Sequence, residues 1–236
     1  MKILVVAATR EEIGPLVESC ELQGVSCEET SSHLETIKQE TTGLTTHHPQ
    51  LTPRVLITGV GMVATAFALG KHLATHQYDL AINLGIAGSF DRNIPLGTVV
   101  EVTEDTFTEL GAEDDNRFIT LDALGFGQTK FTTSARLDQY YTEQKPWQVT
   151  GATVNTVHGE EASIAKLHQR LAPQLESMEG AAFFYACQQA GVPALQIRAV
   201  SNYVEKRNRD AWKIGLAVKN LNTFALSLLQ VLGCKL

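Results

Sequence analysis

Three polar residues stand where apolar chain surrounds them. Glu179 opens the apolar helical pattern of Ser177-Met178-Glu179-Gly180-Ala181-Ala182-Phe183-Phe184. Asn202 ends the run Arg198-Ala199-Val200-Ser201-Asn202, and Glu12 closes the turn Ala7-Ala8-Thr9-Arg10-Glu11-Glu12. A carboxylate buried beside Met178 and the run from Ala181 to Tyr185 needs hydrogen-bond donors, and a pair of vicinal sugar hydroxyls supplies two. An amide at a strand end both donates and accepts, which suits the edge of a heterocyclic base. Glu12 follows the first apolar run, at the strand end where open α/β sheets gather ligands. Each residue also has a plain structural reading. Glu11, Glu12 and Glu179 complement helix N-termini, and Asn202 suits a turn. Locally, both readings stand.

The elements that must position these residues follow from periodicity. Short Val- and Ile-rich runs alternate with longer Ala- and Leu-rich stretches at helical period. Strands are expected at 2–8, 54–60, 79–84, 97–103, 150–157 and 193–200. Helices are expected at 10–20 (N-capped by Thr9), 62–76, 160–171, 179–191 and 210–232. Continuous apolar strands are covered on both faces, and their alternation with helices favours a largely parallel sheet. Residues 21–50 are polar and read as a hairpin with a mobile tip that contains His47-His48-Pro49, a pair without metal-ligand spacing. Residues 104–130 read as an irregular connection near the site or at an oligomer contact. No repeat or linker divides the chain, so one domain is expected over 1–236.

With 236 residues and 44% apolar content, the chain can bury a substantial core. Its formal charge of −7 and lack of basic runs speak against nucleic acid or anionic membrane as partners. The start Met1-Lys2-Ile3-Leu4-Val5-Val6-Ala7-Ala8 is too short for a signal peptide, and Arg10-Glu11-Glu12 follows it, so it reads as a strand. Cys20, Cys27, Cys187 and Cys234 lack metal or redox spacing, which fits a reducing, cytoplasmic setting. Gly59-Val60-Gly61-Met62-Val63-Ala64 imitates a dinucleotide fingerprint. Asp79 precedes the following strand instead of ending it, so the glycines read as a tight turn packing helix on sheet. Neither cofactor nor metal is expected.

Taken together, the motifs resemble the nucleoside phosphorylase and nucleosidase superfamily over nearly the whole chain. Ala8 to Glu12 is similar to its Gly-Ala-Met-Glu-Glu-Glu segment, and Gly59 to Ala64 to its Ser-Gly-Ile-Gly-Lys-Val segment. Asn83 to Gly88 resembles its Asn-Thr-Gly-Ser-Ala-Gly loop, and Ser177 to Ala181 its Glu-Met-Glu-Ala segment. The resemblance implies a three-layer α/β/α sandwich around a mixed, partly barrel-like sheet, usually in a homodimer. It implies Glu12 as the base that activates water, Glu179 as the ribose clamp, and Met178 packing under the sugar. Asn202 falls where the adenine-specific methylthioadenosine/adenosylhomocysteine nucleosidases carry an Asp that protonates the purine. An amide suits a 6-oxopurine better, and an unmatched buried polar group costs about 1–3 kcal/mol.

Residues Ser201 to Trp212 and Gly85-Ile86-Ala87-Gly88-Ser89-Phe90 are similar to the futalosine hydrolases, which release hypoxanthine during menaquinone synthesis. That resemblance adds Ile86, Phe90, Val157 and His158 as candidates around the purine. Arg207 and Arg209 are candidates for the benzoate of the substrate, against the reading of a solvated charged turn. The rivals are methylthioadenosine/adenosylhomocysteine nucleosidase, then purine nucleoside phosphorylase, and a silent nucleoside-binding protein. The first turn carries Glu11 and Glu12 where bacterial-type phosphorylases gather phosphate, and a carboxylate repels phosphate.

Overall fold

The computed structural model describes residues 1–22, 27–29, 53–140 and 145–234. The expected hairpin therefore lies mostly outside the described residues, as do His47 and His48. In chain order the first elements are β1 (Ile3–Ala7), α1 (Arg10–Leu22), β2 (Cys27–Glu29), β3 (Arg54–Ile57), α2 (Met62–Leu73), β4 (Leu80–Ser89) and β5 (Val99–Phe107). Then come β6 (Gly111–Asp114), β7 (Arg117–Thr120), β8 (Lys130–Thr132), β9 (Trp147–Thr153) and α3 (Glu161–Leu171). The chain closes with β10 (Leu175–Ser177), α4 (Gly180–Ala190), β11 (Ala194–Tyr203) and α5 (Ile214–Val231).

The two-residue period of a strand explains why β1 is apolar throughout. Ile3, Val5 and Ala7 join a core with Ile13, Leu16 and Val17 of α1 and Ala217, Leu221 and Ala225 of α5. Leu4 and Val6 face the other way, toward Leu69 of α2 and Ala181, Phe183 and Phe184 of α4. These are the outer layers of the sandwich. Cys187 packs in the second core, where burial pushes its thiol up to about 12. Arg209–Val231 is apolar and long enough to cross a membrane by composition alone. Its residues Leu221, Ala225, Leu228 and Leu229 are nevertheless buried against the sheet.

Within the middle layer, β4 pairs in parallel with β1 on one side and with β11 on the other. From β11 the sheet continues through antiparallel β5, then parallel β9 and β10. Strand β10 returns to the end of β4, pairing Leu175 with Ser89 and Glu176 with Gly88. Five strands thus close into a ring filled by Ala87, Val100, Val102, Val149, Leu175 and Val200.

The structure differs from the sequence expectations at the strand ends. Strand β4 does not stop before Gly85 but runs on to Ser89, because β11 pairs with it along that length. Residues 104–130 are not irregular throughout: β5 extends to Phe107, and β6 and β7 form a separate hairpin. The last helix starts at Ile214, after a short turn at Arg209–Ala211. Strand β10 was not expected, since three residues carry no readable period.

Strand β5 places Asp105 beneath the start of α4, where the carboxylate accepts from Thr153 Oγ1 (2.8 Å) and Gln196 Nε2 (3.0 Å). The Thr153 hydroxyl in turn accepts from Ala181 N (2.7 Å), which anchors the first turn of α4. Burial raises the Asp105 carboxyl to about 6, against these donors and the charge of Arg198. The folded chain therefore holds this proton more tightly than the unfolded chain. The stability it contributes is full below about pH 4 and is lost as pH rises through about 6. Chemical unfolding across that window should show Asp105→Asn gaining stability relative to the parent by roughly 1–3 kcal/mol as pH rises.

Candidate active site

Glu12 bonds both to its own helix start and across to β4. Its Oε2 accepts from Thr9 N (3.1 Å) and Thr9 Oγ1 (3.3 Å), as the fourth member of a capping box does. Its Oε1 accepts from Ile86 N of β4 (3.0 Å). The helix behind it is broken near Pro15, with Ile13 at non-helical φ −125, ψ 21. Asn222 of α5 fills the opened turn. Its Oδ1 accepts from Leu16 N (3.1 Å) and its Nδ2 donates to Glu12 O (2.9 Å), so that Asn222 bridges those two groups across the kink.

Burial pushes the Glu12 carboxyl above the usual carboxylate range, opposed by the Ile86 N–H and the Arg198 guanidinium. The nearby Glu179 charge pushes it the same way as burial. Arg198 lies in register with Gly85 on β4. A Cβ on Gly85 would stand 2.9 Å from Arg198 Nη1 and 3.0 Å from Glu12 Oε1, so glycine leaves the room these side chains occupy. Nε and Nη2 of Arg198 have no hydrogen-bond partner among the described residues. Sequence reading placed Arg198 in a strand and missed it as a site group. The available signal was a cation inside an apolar run.

Glu179 is buried at the start of α4, yet its side chain does not cap that helix. Its Oε1 accepts from Gly61 N (3.0 Å) and its Oε2 from Met178 N (3.3 Å). Gly61 has φ +96, which favours glycine and lets its N–H turn toward the carboxylate. The glycine segment that imitates a dinucleotide fingerprint thus supports a carboxylate.

Asn202 follows a bulge, the register of β11 against β4 shifting between Val200 and Asn202. Such an extra residue re-aims the side chain after it. Oδ1 accepts from Ser201 Oγ (2.8 Å) and Nδ2 donates to Tyr203 O (3.0 Å). One lone pair and one hydrogen remain for a ligand.

A cavity of about 370 Å³ collects Glu12, Ile86, Val157, Met178, Glu179, Asn202 and Arg207. Phe90 instead lines a neighbouring cavity with Arg92, Val204 and Lys206. Arg207 and Arg209 approach the Trp212 ring at 5.2 and 5.9 Å, but only Arg207 lines the site cavity, alongside Trp212. Glu176 and Ser177 also line it and were missed. They belong to β10, which the sequence did not reveal.

The profile of the phosphorylase superfamily matches residues 2–232, and the chain belongs to that superfamily. Among individual proteins, it is similar to a futalosine hydrolase of Streptomyces coelicolor, 36% identical over 202 residues, covering 80% of this chain and 84% of that one. The futalosine hydrolase of Thermus thermophilus is 30% identical over 171 residues, covering 70% and 76%. A 5′-methylthioadenosine/S-adenosylhomocysteine nucleosidase of Colwellia psychrerythraea is 27% identical over 218 residues, covering 82% and 85%. Two solved structures share the fold. One is the native futalosine hydrolase of Helicobacter pylori, with TM-score 0.75, 17% identity and coverage of 98% and 97%. The other is the Colwellia nucleosidase in complex with adenine, with TM-score 0.71, 24% identity and coverage of 100% and 97%. They match the expected three-layer sandwich with its partly closed sheet.

Proposed function

We propose that the chain, one nucleosidase domain over 1–236, hydrolyses the N-glycosidic bond of futalosine. The products are dehypoxanthine futalosine and hypoxanthine, and the reaction serves menaquinone synthesis. The observation that carries this reading is one cavity lined by a buried carboxylate, Glu179, and a half-buried one, Glu12, each held on main-chain N–H groups, together with an amide. The similarity to named futalosine hydrolases supports the choice of substrate.

In this mechanism Glu12 takes a proton from water as the water oxygen attacks C1′. A carboxylate raised by burial is a better base than an exposed one. Glu179 accepts from the ribose hydroxyls and fixes the sugar, with Met178 beneath it. The C1′–N9 bond breaks with its electron pair passing to the purine. The free hydrogen of Asn202 then stabilises the charge growing at O6 or N7. The proton that completes hypoxanthine comes through water. Arg198 does not make the cavity a phosphate site, because it is fully buried and does not line the cavity. Arg207 lines the cavity beside Trp212, which supports a role in binding the benzoate of futalosine. The Colwellia relative keeps methylthioadenosine or adenosylhomocysteine as the second reading, and Asn202 speaks against an adenine base.

Free Cys20, Cys187 and Cys234 fit the reducing cytoplasm, where we place the protein. Val63 and Phe67 of α2, with Phe126 and Tyr185, expose an apolar patch that we assign to a homodimer contact. Phe67→Glu with Phe126→Asp should reduce the mass found by light scattering to that of one chain.

Hypoxanthine release from futalosine should proceed equally with and without phosphate, and Arg207→Ala should raise KM for futalosine several-fold. Strict phosphate dependence, or faster release of adenine from methylthioadenosine, would overturn the assignment. Glu12→Gln should lower kcat by about 10²–10⁴-fold while calorimetry still shows ligand binding. Because the base must be ionised, kcat/KM of the parent should fall on acidification with a midpoint above the usual carboxylate range.

A further inference from the structure

Asn222 is a polar residue within the buried, apolar face of α5. Ala217, Leu221, Ala225, Leu228 and Leu229 of that face join the core beside α1, and Asn222 among them is 2% exposed. A buried amide is costly unless its hydrogen bonds are made, and an apolar side chain would fill the space without that demand. Here both hydrogens of Nδ2 are used. One goes to Val218 O of its own helix (2.7 Å) and the other to Glu12 O of α1 (2.9 Å). Its Oδ1 accepts from Leu16 N (3.1 Å). Glu12 and Leu16 are four residues apart, the spacing at which a straight helix joins carbonyl to N–H directly. A side chain inserted at that spacing bends a helix, and Ile13, next to Glu12, has the non-helical φ −125 and ψ 21. Pro15, which has no N–H to give the helix, lies in the same turn.

We infer that Asn222 is a positioning residue for Glu12, holding the first turn of α1 open so that the carboxylate reaches β4 and the cavity. The inference rests on Glu12 acting as the base, as proposed above. Glu12 is fixed at three points. Asn222 holds its carbonyl, Thr9 N holds Oε2 (3.1 Å), and Ile86 N of β4 holds Oε1 (3.0 Å). The first attachment sets where the backbone stands, and the other two set where the carboxylate points. Closing the turn would move the Glu12 backbone while β4 stays in place, and the bond to Ile86 N would be lost. Asn222 itself does not line the cavity, so it acts only through Glu12. Trp212 and Ile214, at the entry to α5, do line it. Support for the base and part of the cavity wall therefore belong to one helix.

Simple bracing of a kinked helix would show the same hydrogen bonds but would affect stability alone. Two variants separate the roles: Asn222→Ala, and the same change combined with Pro15→Ala. Without amide and proline, Leu16 N can bond Glu12 O directly, which repairs the helix but not the placement of the carboxylate. Hypoxanthine release from futalosine and thermal unfolding are measured for each. Asn222→Ala should unfold at lower temperature and lose roughly tenfold to a hundredfold in kcat, with KM little changed. The double variant should regain thermal stability and keep the low kcat, and it carries the test should the single variant fail to fold. In both, the acid limb of kcat/KM should move to higher pH, because the Ile86 N–H that holds the Glu12 carboxyl down is withdrawn. The other charges acting on Glu12, Arg198 of β11 and Glu179 before α4, are the same in parent and variants. Recovery of kcat together with stability would overturn the positioning role, as would a loss confined to KM. A parent that releases no hypoxanthine would instead overturn the hydrolase reading beneath it.

Discussion

Two carboxylates are kept inside this protein by main-chain N–H groups supplied from elsewhere in the chain. Glu12 accepts from Ile86 of β4 as well as from its own helix start. Glu179 accepts from Gly61 at the entry to α2. Burying a charge without such donors costs far more than one domain can spare. The surroundings are built to supply them: Gly61 at positive φ, Gly85 leaving space beside Arg198, and Asn222 bridging the broken turn of α1. The few polar groups of the site are fixed in place, which is what orientation of a reacting bond requires.

The ring formed by β4, β11, β5, β9 and β10 accounts for the rest of the cavity. Its closure depends on the short antiparallel contact between β10 and the end of β4. That contact places Glu176, Met178 and Glu179 along the same cavity as Ile86 and Asn202. The bulge in β11 then turns Asn202 toward Gly88. Sugar and base walls are thus consecutive stretches of one closed sheet and cannot shift independently.

Much of this was legible in the chain. The two covered faces of β1 and the apolar stripes of α2, α4 and α5 follow from residue order, and the three-layer arrangement from the family resemblance. Glu12, Glu179 and Asn202 stood out because polar groups among apolar neighbours need partners. Phe90 shows the limit. Its position near the Gly85–Ser89 segment suggested the site, but in the fold it lines the next cavity with Arg92 and Lys206. Phe90 lies just past the end of β4, where its N–H donates to Gln174 O and the chain has left the strand, so its place in the sequence does not fix which cavity it lines.

The sequence by itself determined the layers, the covered faces of the strands and the residue types at the site's chemical positions. Those follow from local periodicity and from the cost of burying polar atoms. Only the tertiary structure decided that the Gly85–Gly88 segment is strand, that Arg198 stands beside Glu12, and that Glu176 and Asn202 flank one glycine. Those facts depend on pairing between strands far apart in the chain. Three residues of β10 carry no period from which such pairing can be read.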